Sequence, residues 1–192
     1  MQIPPPSPTV TIMNSPSRPI KCAGLRTREL VQTALMGAIL FVAQVVFAGL
    51  PNIELVSLLL ILYTLAISPK QALAAAYLFA LLEGLVYGFG LWWVMYLYVW
   101  PALVLVVWLF RRNDSVWFWT LVSAAFGLSF GALCSIPYAV GGGISAGVAW
   151  WISGIPYDIA HCVGNAVVMM LLYKPLIRFF RSLQSKLNHY HS

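Results

Sequence analysis

Three residues with chemically active side chains follow one another at helical spacing late in the chain. Asp158, His161 and Asn165 stand at positions i, i+3 and i+7, which puts them on one face of a helix. A carboxylate, an imidazole and an amide on one face can hold a ligand by hydrogen bonds, orient a base or bind a metal. Pro156 leaves a backbone carbonyl one turn earlier without its helical partner. The pattern therefore predicts a polar site inside an apolar segment.

Two glutamates and several aromatic residues extend this candidate site. Glu54 and Glu83 also lie in or at the ends of apolar runs, and a charge near the centre of a bilayer costs at least about 2.5–3.5 kcal/mol. Tyr87 follows Glu83 by one helical turn and shares its face. We expect these side chains to bind a substrate together with five others: Asn52, Trp92, Trp93, Tyr96 and Tyr138.

Each of these residues also has a purely structural interpretation. A buried carboxylate can bond locally to a hydroxyl or a backbone group, and a buried histidine can be a hydrogen-bonded core residue. Trp and Tyr concentrate at membrane interfaces. The run from Tyr87 to Trp100 is therefore either an interfacial belt or a wall on which a flat ligand stacks.

The composition indicates that membrane helices position these residues. The chain has 192 residues, of which 61% are hydrophobic and 8% charged, and its mean hydropathy is +0.85. A soluble domain carries about 25% charged residues, so this composition excludes an ordinary soluble enzyme, a disordered chain and a secreted disulfide scaffold. At about 20 residues a span, the sequence predicts six helices, at about 29–50, 53–67, 71–89, 94–110, 116–139 and 146–173.

The predicted fold class is thus an all-α integral membrane protein. A six-helix membrane domain covers residues 29–173, between a flexible Pro/Ser-rich tail at 1–28 and a basic tail at 174–192. All eleven Lys and Arg residues fall in the two tails or in the turns after the second and fourth helices. The positive-inside rule therefore predicts six spans with both termini in the cytoplasm. The net charge of +6 then indicates contact with anionic lipid headgroups rather than with nucleic acid.

The sequence shows no motif for binding a metal, a cofactor or a nucleotide. The three cysteines are far apart and no Cys/His cluster has zinc spacing, so neither a metal, a cofactor nor a disulfide framework is expected. No phosphate-binding loop is present, so the chain has no energy source of its own. One alternative stays open, because Gly127, Ser129 and Gly131 match G-x-S-x-G. They are either a helix-packing face or, with His161, part of an intramembrane Ser–His hydrolase.

Three stretches of the sequence resemble the substrate-binding S component of energy-coupling factor (ECF) transporters. They are LPNIELVSLL at 50–59, LEGLVYGFGLWW at 82–93, and residues 154–165 followed by LYKP at 172–175. The similarity covers about residues 25–180. The resemblance implies six helices, both termini in the cytoplasm and a multi-pass protein of a bacterial plasma membrane.

The resemblance also implies a function and partners. S components are not enzymes; they bind a vitamin or related micronutrient near the outer face and assemble with a membrane coupling subunit and two cytoplasmic ATPases. Ala34 and Ala38 match the AxxxA pattern that contacts the coupling subunit, and Gly37 is expected to flatten that surface further.

The substrate stays open at this point. Trp92, Trp93 and Tyr96 favour a ligand with a flat or apolar part, and the carboxylates favour hydrogen-bond donors or positive charge. A corrinoid also fits if His161 faces an open pocket, because imidazole is a good cobalt ligand.

Overall fold

The computed structural model describes residues 27–49 and 53–189, and the regular secondary structure of this part of the chain is all helical, without a strand. The all-α prediction is therefore confirmed. The helices are α1 (Thr27–Phe47), α2 (Val56–Ala66), α3 (Pro69–Tyr87), α4 (Leu91–Leu109), α5 (Val116–Cys134), α6 (Ile136–Gly142) and α7 (Ile144–His189).

In the part of the chain that the structure describes, four helical segments are long and apolar enough to cross a membrane. These are Thr27–Phe47, Leu91–Leu109, Val116–Gly142, in which α5 and α6 follow directly on each other, and Ile144–Leu187. Asn52 and nearly all of the predicted N-terminal tail lie outside the described residues.

Local sequence sets most of the helix ends. Pro69 opens α3, where its missing N–H costs nothing, and the Ser115 hydroxyl accepts a hydrogen bond from the Phe118 N–H at the start of α5. The chain reverses at Gly143, whose φ of 84° suits a residue without a Cβ. The fifth helix, predicted at about 116–139, corresponds to α5 and α6, which a one-residue turn at Ser135 separates just before Pro137 in the first turn of α6.

The last helix is much longer than predicted. The expected end at Lys174-Pro175 is wrong, since α7 continues through Pro175 to His189. The residues beyond the proline pack on the bundle: Ile177 is buried, and the Phe180 ring meets the Tyr63 ring edge-on at 5.4 Å. This packing outweighs the hydrogen bond that a proline removes from a helix.

The short helix α2 occupies the centre of the bundle. Its 11 residues span about 16 Å, less than the roughly 30 Å of a bilayer core. Residues 56–64 are all buried, and α2 contacts α1, α3, α4 and α7. The second predicted span is therefore shorter than expected and forms core rather than surface.

Hydrogen bonds join four segments at one end of the bundle, which we call the charged end: the start of α1, the α2–α3 turn with the first residues of α3, the α4–α5 loop and the last part of α7. The Gln71 side chain donates to the Glu29 carbonyl at 3.3 Å, Arg28 donates to the Leu187 carbonyl at 3.0 Å, and Arg181 pairs with Asp114 at 3.0 Å. Every described Lys and Arg lies in these segments. The opposite end is the apolar end.

The two neighbouring phenylalanines of α7 test the packing of its extension. We expect Phe180→Ala to lower the free energy of unfolding by about 2–3 kcal/mol, somewhat below the cost of truncating a fully buried Phe. Phe179→Ala is the matched control, because its side chain is exposed and its loss should cost about 0.5 kcal/mol or less. Denaturant titration of the detergent-solubilised protein measures both. Equal losses would contradict the packing of the extension on α2.

Candidate functional site

A cleft of about 270 Å³ opens at the apolar end between α1, α3 and α4. It lies where α1 and α3 end and α4 begins. Six residues line it: Gln44, Ala48, Glu83, Tyr87, Trp92 and Tyr96. The structure thus brings together four of the predicted substrate-binding residues, Glu83, Tyr87, Trp92 and Tyr96.

Glu83 is the polar centre of the cleft. Its side chain is only 4% exposed, and within the described residues its Oε1 has no hydrogen-bond partner. A buried polar group without a partner costs about 1–3 kcal/mol, and more when it is charged. The unpartnered oxygen therefore marks a place where a ligand atom would be favourably bound.

Aromatic rings form a rigid wall beside this carboxyl group. Trp92 meets Tyr96 edge-on at 5.5 Å, and Tyr96 in turn packs against Phe79 at 5.7 Å and Trp100 at 5.5 Å. Phe79 and Trp100 are buried, so the wall is anchored in the core. The aromatic run is therefore more than a loose interfacial belt.

Two of the predicted aromatic residues, Trp93 and Tyr138, contact residues outside the cleft. The Trp93 indole donates to the Ala80 carbonyl at 2.8 Å, and its ring meets Phe89 edge-on at 5.0 Å, so it braces α4 against α3. Tyr138 stacks on Trp150 at 4.8 Å and fastens α6 to the start of α7.

The three-residue pattern on α7 lies on one buried face, as its spacing predicts. Asp158, His161 and Asn165 are all at most 4% exposed. They face α2 and α5 rather than the cleft: Asp158 accepts a hydrogen bond from the Gly131 N–H at 2.8 Å, and Asn165 donates to the Ser123 carbonyl at 3.2 Å.

The buried pair of Glu54 and His161 ties the start of α2 to α7. His161 Nε2 lies 3.1 Å from Glu54 Oε1, and Glu54 Oε2 accepts a hydrogen bond from the Ser57 N–H at 2.8 Å. A carboxylate at a helix N-terminus is favoured by the exposed N–H groups there. Glu54 thus caps α2 and fixes the His161 ring at the same time.

The glycines of the G-x-S-x-G match pack against α7. A Cβ at Gly127 would come within 2.8 Å of the His161 backbone, and one at Gly131 would collide with the Asp158 carboxyl group. The helix-packing interpretation is therefore confirmed. Ser129 lies on the opposite face of α5, where its hydroxyl donates to the Ala125 carbonyl at 2.8 Å. The structure does not bring Ser129 and His161 together.

The small residues of α1 divide between two faces. Ala34 and Ala38 are exposed, whereas Gly37 is buried, and a Cβ at Gly37 would collide with the Leu78 side chain of α3. Gly37 therefore lets α3 approach α1 and adds nothing to the Ala34/Ala38 surface.

Sequence reasoning missed the contribution of α1 to the cleft. Gln44 is the only polar residue in the run from Phe41 to Phe47, and that isolation in an apolar helix was the available signal. Ala48 carries no chemical signal and is placed in the cleft only by the packing of α1 on α3.

Taken together, the fold and the site define an all-helical bundle with membrane-length apolar helices and a small, aromatic-walled cleft near one end. No family model, curated protein or solved structure matches the chain.

A double-mutant cycle tests the Glu54–His161 pair. We expect Glu54→Ala to lower the free energy of unfolding by about 3 kcal/mol or more, because a buried partner is left uncompensated. Combined with His161→Ala, the losses should fall short of additivity by about 0.5–3 kcal/mol. Glu54→Gln is the control for the hydrogen bond at the start of α2, since its amide oxygen can still accept from the Ser57 N–H. Additive losses in the same titration would mean that the two side chains do not interact.

Proposed function

We propose that the protein is the substrate-binding S component of an ECF-type ABC transporter. It captures a vitamin or related micronutrient at the outer face of the plasma membrane and performs no chemistry on it. The observation that carries this proposal is the cleft itself: a buried Glu83 oxygen without a partner beside an anchored aromatic wall. Binding sites typically combine an apolar lining with a few polar groups in this way.

The orientation follows from the charged end. Positively charged segments stay in the cytoplasm, so the start of α1 and the end of α7 face inward and the cleft faces outward. The six passes are α1, α2, α3, α4, α5 with α6, and α7. The short α2 traverses the protein interior, surrounded by longer helices.

Partner subunits supply the energy for uptake. The chain has no phosphate-binding loop, so ATP hydrolysis belongs to two cytoplasmic ATPases that act through a membrane coupling subunit. The exposed Ala34 and Ala38 of α1 offer that subunit a surface on which a second helix can approach closely.

Neutralising Glu83 tests the binding site. The protein is purified in detergent, and native mass spectrometry with organic extraction identifies the bound compound. We expect Glu83→Gln to weaken binding of that compound at least about tenfold, on the order of 1.4 kcal/mol. Asp114→Asn is the matched control, because it removes an equal charge from an exposed carboxylate at the charged end.

Affinity is measured by isothermal titration calorimetry. If the purified protein is empty, a thermal-shift panel of vitamins supplies the ligand. Equal affinities for wild type and Glu83→Gln would remove the cleft as the binding site, and a blank panel would contradict the proposed function.

Enlarging the α1 surface tests the partner contact. We expect Ala34→Leu and Ala38→Leu to reduce uptake into cells at least about tenfold while ligand affinity stays unchanged, because added methyl groups separate closely packed helices. Ala160→Leu on the exposed face of α7 is the matched control. Uptake that survives both α1 substitutions would place the coupling contact elsewhere.

A further inference from the structure

We infer that the cleft selects a small organic cation with a flat ring, and that Glu83 is its counter-ion. This inference rests on the proposed function, since it takes the cleft as the ligand site. It narrows the ligand from any vitamin-like compound to one class of charge and shape.

Within the described residues, no Lys or Arg lies near Glu83. All described Lys and Arg residues lie in the segments of the charged end. Lys70, which shares α3 with Glu83, is 13 positions away, or about 20 Å along the helix axis. Arg28 on α1 is 16 positions from Gln44, or about 24 Å. A carboxylate in the low-dielectric cleft therefore has its strongest unmet attraction to a positively charged ligand.

Glu83 also differs from the other two buried carboxylates, Glu54 and Asp158, in its surroundings. Glu54 is bonded to His161 and to the Ser57 N–H. Asp158 accepts from the Gly131 N–H, and its Oδ2, like Glu83 Oε1, has no hydrogen-bond partner among the described residues. Of the three, Glu83 is the one that lines the cleft. A corrinoid is set aside because His161, the candidate cobalt ligand, is not among the residues that line the cleft.

The walls of the cleft suit a cationic ring. Trp92, Tyr96 and Tyr87 line it, and aromatic faces attract cations within about 6 Å, Trp most strongly. The volume of about 270 Å³ lies below the 300–1,000 Å³ of typical drug-sized sites, so one or two rings fit. An anionic ligand would meet Glu83 with no cation to offset the repulsion.

A pair of isosteric probes separates charge from shape. 1-Methylnicotinamide is a pyridinium cation, and 3-methylbenzamide has the same outline without the charge. Titrated into the full-length protein in detergent, the cation should bind at least about tenfold more tightly than its isostere. In Glu83→Gln the ratio of the two affinities should fall to about threefold or less, whereas Glu83→Asp and Asp114→Asn should keep the preference.

The inference would be overturned if the wild type bound the two probes with equal affinity, or if Glu83→Gln still preferred the cation. A panel with cationic thiamine, neutral riboflavin and anionic biotin separates failure of the cation inference from failure of the proposed function. If riboflavin or biotin binds and Trp92→Ala abolishes that binding, while neither cation binds, the proposed function stands and the cation inference falls. If none of the compounds binds, both fall together.

Discussion

A short helix buried on every side sets the main constraint on this structure. The N–H and C=O groups at the ends of α2 lie beside this buried stretch, and the protein supplies partners for several of them. At one end Glu54 accepts from the Ser57 N–H; at the other, the Ile67 and Ser68 N–H groups both donate to the Tyr63 carbonyl. Both ends also meet α7, through His161 and Phe180 respectively. The extension of α7 past Pro175 places Phe180 against Tyr63, so that one helix contacts both ends of α2.

The polar groups at the apolar end divide into two sets with different tasks. The set around His161 is joined by hydrogen bonds across α2, α5 and α7, and such a network in a low-dielectric interior favours one arrangement of the helices. Two of its atoms, Asp158 Oδ2 and His161 Nδ1, have no partner among the described residues. Glu83 stands outside this network, between α1, α3 and α4. Of the three buried carboxylates, Glu83 is the one that lines the cleft, where a ligand would reach it.

Local sequence patterns predicted which residues share a helix face and which end of the bundle is charged. They did not predict which distant residues each side chain contacts. The spacing of Asp158, His161 and Asn165 is a property of one helix, so their common face was predictable. Their partners were not, because Glu54 is 107 positions from His161 and no local rule joins them. At Pro175 a local pattern gave a wrong prediction. A proline favours the end of a helix, but the packing of Ile177 and Phe180 against distant residues keeps α7 helical.

Helix α1 contributes residues to two separate surfaces of the protein. Gln44 and Ala48 line the cleft, while Ala34 and Ala38 lie about two to four turns away on an exposed face of the same helix. Gly37 lets the Leu78 side chain of α3 approach closely, and α3 also carries Glu83. A ligand held in the cleft would therefore contact the two helices that pack at Gly37. Under the proposed function, the ligand and the coupling subunit would contact the same helix, α1.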